Sequence, residues 1–328
     1  MNRLNILRAA HVELLVTDLE VSKEFYVSML GFIITEESSK QVYLRGVEER
    51  LHHSIVLTKS SVPAIGHLSF RVEDSSDLKK LHEFYVLKGC VAQFKQVGAE
   101  LGQGLALIVQ DPLGFPIEYF ADMNEADSYL QRYHLHQGAA VKRIDHFNIF
   151  VHNMAIASDL WVNQLSFRIS EYVETDLEPQ EKTAIWIHRK PSVHDLAIMK
   201  GTGPRVHHVG FWMDDVNSII RACDILASAG MHAAIERGPG RHGISNAFFL
   251  YVRDPDGHRI ELYTGDYLTT DPDLLPIRWS ETDSKRQTLW GHATPESWWT
   301  EASRVVDITS EQQVDLRLTE MVQASHIK

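Results

Sequence analysis

Three residues of this chain have types and positions that could do chemistry together. His146, His208 and Glu261 each fall in the middle of an apolar stretch that reads as a strand: IDHFNIFV, VHHVGFW and RIELY. A carboxylate buried without a partner neutralises or destabilises the fold. An imidazole on a core-facing strand position needs a hydrogen-bond partner. One divalent cation would meet all three needs. Two neutral imidazoles and a carboxylate make a facial triad, which leaves coordination positions open on one side for a substrate and O2. Any one of these histidines alone reads more simply as a satisfied core residue. Their recurrence at corresponding places of a repeated unit favours the metal.

The elements that must position them come from two internal echoes. AAHVELLVTDLEVSKEFYVSMLGF (9–32) matches IDHFNIFVHNMAIASDLWVNQLSF (144–167). Each has the alternation of a half-buried strand, a short turn and an amphipathic helix. IVQDPLGFPIEYF (108–120) matches YVRDPDGHRIELY (251–263). Both read as strand, tight Asp-Pro-x-Gly turn and strand, with a glutamate in an apolar setting. AIGHLSFRVED (64–74) and RVHHVGFWMDD (205–215) open two further units, followed by helices around 75–89 and 216–230. The chain thus reads as α+β, with four βαβββ modules paired into two domains, each a curved mixed sheet. The expected division is 1–122, a polar linker at 123–142 with the flexible-looking HLHQGAA, 143–267, and an extension from 268 to 328. That extension holds Trp279, Trp290, Trp298 and Trp299, four of the chain's seven tryptophans, so it should pack as a lid until about residue 305. The polar residues beyond are expected to be disordered.

The first half repeats the triad as His11, His67 and Glu118, so the triad alone does not choose between the halves. The surroundings do. Asn148 stands two residues after His146, where the first half has Glu13; Tyr251 stands ten before Glu261, where the first half has Ile108. Trp186, His194, Arg237 and His242 also lie around the second set, while the first half offers His53 opposite His194 and nothing comparable opposite Tyr251 or His242. The first half therefore reads as a retained domain without metal.

Size and composition agree with a globular protein: 328 residues, 44 % apolar and 23 % charged, long enough for two cores. No apolar run of membrane length occurs, and the N-terminus lacks the order of features of a signal peptide. A net charge of −12 without a basic stripe argues against a nucleic-acid partner. Two cysteines, Cys90 and Cys223, both in stretches that read as helical, suggest free thiols in a reducing compartment, hence the cytoplasm.

The ordered set RIDHFNIFV, VHDLAIMKG, RVHHVGFW, ERGPGRHGISNAFFLYVRDPDGHRIELYTGDY and SKRQTLWG resembles the type I extradiol dioxygenases of the vicinal oxygen chelate superfamily, most closely the homoprotocatechuate (3,4-dihydroxyphenylacetate) 2,3-dioxygenases, over about residues 1–305. The resemblance implies a homotetramer that binds Fe(II) or Mn(II) and opens a catechol ring beside its two hydroxyls with O2, in aromatic catabolism. It implies His194 as acid/base, a role that suits an imidazole. It implies Tyr251 and Asn148 as hydrogen-bond partners of substrate and oxygen, and Trp186 as a ring-side wall. Arg237, His242 and Arg286 would clamp a side-chain carboxylate, since a guanidinium fork matches a carboxylate bidentately. Where the family often has two successive arginines, this chain has Arg286 then Gln287. Three other readings share much of this pattern: an extradiol enzyme for another catechol, such as catechol 2,3-dioxygenase; a metal-dependent isomerase or transferase of the superfamily; and a non-catalytic ligand-binding protein on the same fold.

Overall fold

A computed structural model describes residues 4–317. The first half runs β1 (Ile6–Val16), α1 (Leu19–Lys23), β2 (Ile33–Glu37), β3 (Gln41–Arg45), β4 (Ile55–Lys59), β5 (Ala64–Val72), α2 (Ser75–Leu87), β6 (Ala92–Lys95), β7 (Ala106–Gln110) and β8 (Pro116–Phe120). The second repeats it as β9 (Arg143–Val151), α3 (Met154–Ser158), β10 (Arg168–Glu174), β11 (Lys182–His188), β12 (Leu196–Lys200), β13 (Arg205–Trp212), α4 (Val216–Ser228), β14 (Ile235–Arg241), β15 (Phe248–Arg253) and β16 (Arg259–Thr264). These are the four βαβββ units of the sequence reading.

Each module helix starts on a capping side chain one residue before it. Asp18, Asp74, Asn153 and Asp215 accept hydrogen bonds from the first free backbone N–H groups. In the first and third modules the helix continues into a π-helical turn, Glu24–Met29 and Asp159–Gln164. The sequence pattern shows an amphipathic helix there but not this widening. The Asp-Pro-x-Gly turns also repeat in detail. Asp111 accepts from the N–H groups of Leu113 and Phe115, and Asp254 from those of Asp256 and His258. Gly114 and Gly257 close the turns at φ of 94° and 86°, a conformation side chains oppose.

The modules pair through their first strands. β1 runs antiparallel to β5 in a sheet ordered β2-β3-β4-β1-β5-β8-β7-β6, and β9 antiparallel to β13 in one ordered β14-β15-β16-β13-β9-β12-β11-β10. One apolar core is shared between them: Phe70 meets Phe147, Trp161 and Phe167, and Phe32 meets Phe211 edge-on. The segment between the sheets is pinned rather than flexible. Ala139 N–H donates to the Met29 carbonyl and Val47 N–H to the Val141 carbonyl.

The extension wraps the second sheet. β17 (Ile277–Ser280) lies parallel beside β10, α5 (Ser297–Thr300) carries the buried Trp298, and β18 (Ser303–Arg304) pairs with β13. Order does not stop near residue 305. Val306 N–H donates to the Ile65 carbonyl, and Arg317 exchanges backbone hydrogen bonds with Gly203. The remaining residues expected to be disordered lie outside the described ones. Both cysteines are free; Cys223 is helical, whereas Cys90 lies just beyond α2 in a turn where Gly89 adopts positive φ. No described helix is long and apolar enough to cross a membrane.

Gly257→Ala should destabilise the fold by about 1–2 kcal/mol, the cost of a left-handed backbone for a residue with Cβ. Chemical denaturation checks this; an unchanged midpoint contradicts the role given to the turn.

Candidate active site

Strand register brings the triad together. Tyr251, Glu261, Gly210 and His146 lie side by side across β15, β16, β13 and β9. His208 is opposite Asn148 in the neighbouring row, and Asn148 shares a face with His146 two residues earlier. The position between Glu261 and His146 must be glycine. A Cβ on Gly210 would lie 2.2–2.6 Å from three atoms of the His146 ring.

The donor atoms converge. His146 Nε2 is 3.3 Å from His208 Nε2 and 2.9 Å from Glu261 Oε2, and His208 Nε2 is 3.2 Å from that same oxygen. All three residues are at most 3 % exposed. Two imidazole nitrogens and a carboxylate oxygen at this spacing fit one divalent ion of the Fe(II) or Mn(II) kind.

The outer nitrogens fix the tautomers that ligation needs. His146 Nδ1–H donates to Asp145 Oδ2 at 3.1 Å, which leaves its Nε2 lone pair facing inward. His208 is set by a relay. His207 Nε2–H donates to the Trp298 carbonyl at 2.9 Å, so His207 Nδ1 accepts from His208 Nδ1–H at 2.6 Å. The α5 segment thus orients a metal ligand through one intervening imidazole. Burial works against charge on His146, yet its hydrogen bonds to Asp145 and Glu261 raise it to about 9. Burial likewise opposes the Glu261 carboxylate, which His146 and His208 hold well below its ordinary range. The local field therefore favours positive charge between these groups.

A cleft enclosing about 390 Å³, open mouth included, lies over this floor. Asn148, Trp186, His194, His242, Tyr251 and Arg286 all line it, with His208 and Glu261. The His194 ring is 4.0 Å from that of His146. Burial, then the neighbouring His146, lowers its pKa well below the imidazole range, and its Nδ1 has no hydrogen-bond partner. It is a neutral imidazole with a free nitrogen. Asn148 Oδ1 is likewise without a partner. Tyr251 donates its hydroxyl hydrogen to His242 Nε2 at 2.9 Å, because His242 Nδ1–H is given to the Gln287 carbonyl. Burial keeps Tyr251 protonated. Trp186 joins Phe150, Ala197, Met199 and Ile244 in an apolar wall.

Of the three residues expected to clamp a carboxylate, both arginines keep unpartnered nitrogens, Nε of Arg286 and Nε and Nη1 of Arg237. Arg286 lines the cleft and its Nε has no partner. His242 also lines the cleft, with both ring nitrogens bonded here, Nδ1 to the Gln287 carbonyl and Nε2 to the Tyr251 hydroxyl. Arg237 stands behind the 286–288 turn. Its Nη2 donates to the Gln287 carbonyl and Thr288 Oγ1, and its guanidinium stacks 4.3 Å from the Trp298 ring. Asp145, His207 and Gly210 have no place in the sequence reading, and Trp298 stands there only as one of four tryptophans of the extension. The adjacent pairs Asp145-His146 and His207-His208 were the available signal for the first two.

His207→Leu removes the acceptor of His208 Nδ1–H and should weaken metal affinity about 10–100-fold, as loss of an orienting partner does. Competitive metal titration checks this; unchanged affinity rules the relay out.

The family model for the Glyoxalase/Bleomycin resistance protein/Dioxygenase superfamily matches residues 8–119 and 143–262. Homoprotocatechuate 2,3-dioxygenase from Brevibacterium fuscum, solved with 3,4-dihydroxyphenylacetate, is 42 % identical, with a TM-score of 0.92 over 96 % of this chain and 98 % of that one. The same enzyme from Arthrobacter globiformis is 40 % identical, with a TM-score of 0.93 over 96 % and 97 %. A manganese-dependent 2,3-dihydroxybiphenyl 1,2-dioxygenase of Geobacillus genomosp. 3 is 34 % identical over 298 residues, 87 % of this chain and 93 % of its own. With the repeated modules and the His/His/Glu set in the second sheet, these likenesses place the chain in the Glyoxalase/Bleomycin resistance protein/Dioxygenase superfamily, among its extradiol ring-cleaving dioxygenases.

Proposed function

We propose that this protein cleaves 3,4-dihydroxyphenylacetate, or a catechol with a similar carboxylate side chain, next to its two hydroxyls with both atoms of O2, giving 5-carboxymethyl-2-hydroxymuconate semialdehyde. One observation carries the reading: a two-imidazole, one-carboxylate floor faces a cleft that also presents a neutral imidazole, a phenol, an amide and a guanidinium. An isomerase or a sequestering protein has no use for the His194 and Tyr251 pair.

His146, His208 and Glu261 would hold the metal, whose Lewis acidity lowers the catechol hydroxyl pKa and brings the diol and O2 together. The residues around it handle protons and orientation. His194, neutral with a free Nδ1, can take a hydroxyl proton and return it later. Tyr251 stays protonated and offers an oriented hydroxyl, fixed by His242 from the side. The Asn148 amide supplies a further polar contact. Trp186 and its apolar neighbours flank the ring and exclude water.

Substrate choice rests on Arg286. Its uncommitted guanidinium face suits a carboxylate, while Arg237 holds the turn that carries it. Gln287 leaves a single arginine at this point, so the clamp has one fewer charge than the family pattern. The triad donors would hold Fe(II), and would accept Mn(II) as well. The protein would act in the cytoplasm as a homotetramer, as composition and the family resemblance imply. Residues 1–122 would form a domain without metal, joined by 123–142 to a catalytic domain at 143–267, with 268–328 as the lid segment.

Arg286→Met should lower kcat/KM for 3,4-dihydroxyphenylacetate roughly 10–100-fold, the worth of one charge-assisted hydrogen bond, and leave catechol nearly unchanged. Equal losses on both substrates contradict the carboxylate assignment. His194→Phe should retain stoichiometric metal and catechol binding while turnover falls about 10²–10⁴-fold. Wild-type turnover in that variant removes His194 from the mechanism.

A further inference from the structure

The densest group of titratable side chains outside the cleft lies in the first sheet. Ile108, Glu118, Ser69 and His11 stand side by side across β7, β8, β5 and β1, the same register as Tyr251, Glu261, Gly210 and His146. His67 faces Glu13 in the neighbouring row. His11 Nε2 lies 3.1 Å from both His67 Nε2 and Glu118 Oε1. His67 Nδ1 pairs with Glu13 Oε2 at 3.2 Å, as His146 pairs with Asp145. Two imidazoles and a carboxylate therefore converge in the first sheet as in the second, although His67 Nε2 lies 3.7 Å from Glu118 Oε1.

Two things differ. Glu100, 5 % exposed, adds a second carboxylate facing His11 Nε2 at 3.5 Å. Lys95, at the end of edge strand β6, sends its ammonium between the carboxylates, 2.7 Å from Glu118 Oε2 and in contact with Glu100 Oε1. Glu118 Oε1 is taken by Ser69 Oγ and Gln103 Nε2. Glu100 Oε2 and His53 Nε2, both deeply buried, face each other at 3.6 Å without a hydrogen bond.

We propose that the first sheet carries a latent divalent-metal site at His11, His67, Glu100 and Glu118, whose two carboxylates are neutralised by the ammonium of Lys95 in place of a metal ion. Two carboxylates out of water need positive charge close by, and removing a buried partner leaves an uncompensated ion. Lys95 supplies that charge from the chain itself, so no free cation is required. Its stem is a quarter exposed at the sheet edge, while the donors it serves point inward. Without the ammonium, His11, His67, Glu100 and Glu118 form a two-imidazole, two-carboxylate set suited to Mn(II), Fe(II) or Zn(II). Four protein donors would leave a six-coordinate ion two positions, too few for both catechol oxygens and O2, and Ile108 occupies the place of Tyr251, so the site would bind metal without opening catechols.

The test is metal stoichiometry. Wild-type protein, Lys95→Ala and Lys95→Met are loaded anaerobically with excess Mn(II), desalted and analysed by mass spectrometry for metal per chain. The proposal expects one equivalent in wild type and two in both variants, with Glu118→Gln added to Lys95→Ala restoring one. Mn(II) should also raise the Tm of Lys95→Ala more than that of wild type. Two equivalents in wild type overturn the proposal, because a metal would then enter beside the lysine. One equivalent in the folded variants, or failure of both to fold with Mn(II) present, overturns it equally.

Discussion

The constraint on which this structure depends is the burial of ligating groups where water cannot compensate them. Moving a carboxylate into a dry sheet costs several kcal/mol even after relaxation. Facing a second imidazole nitrogen toward the first at about 3 Å leaves two lone pairs opposed. A shared cation, or a proton on one ring, makes that arrangement favourable. The rest of the second sheet reads as a means of holding three donors in that relation: register aligns them, Gly210 makes room, and Asp145 and His207 turn their lone pairs inward.

This links the extension to the metal more closely than a cover would. Trp298 gives its carbonyl to His207, its ring to the cleft, and its face to Arg237. Arg259 locks the same segment through the carbonyls of Ser297 and Glu301 and a paired contact with Glu236. Opening the cleft by moving α5 would therefore disturb the tautomer of a metal ligand. The 286–288 turn has a similar double duty, presenting Arg286 to the cleft and the Gln287 carbonyl to the Tyr251–His242 pair.

The module pattern and the triad were legible because both rest on short-range regularities. Alternation, Asp-Pro-x-Gly turns and capping residues are local, and the repeat made His146, His208 and Glu261 stand out. What was not legible depends on contacts far apart in sequence. The need for glycine at 210 appears only when β9 is laid beside β13. The His207 relay joins residues 91 apart, and the commitment of Arg237 and His242 to the Gln287 carbonyl spans about 50. HLHQGAA looks flexible by composition, yet its backbone groups are used by the first module.

The two halves share one architecture: His146, His208 and Glu261 converge in the second sheet, and in the first the matching residues lie beside Lys95, which pairs with Glu100 and Glu118. Crystals of protein reconstituted anaerobically with Fe(II) or Mn(II), with data collected at the absorption edge of that metal, test the central claim most directly. A single anomalous peak within about 2.3 Å of His146 Nε2, His208 Nε2 and a Glu261 oxygen is the predicted result. A peak at His11, His67 and Glu118 instead, or none in protein shown to hold metal, would contradict it.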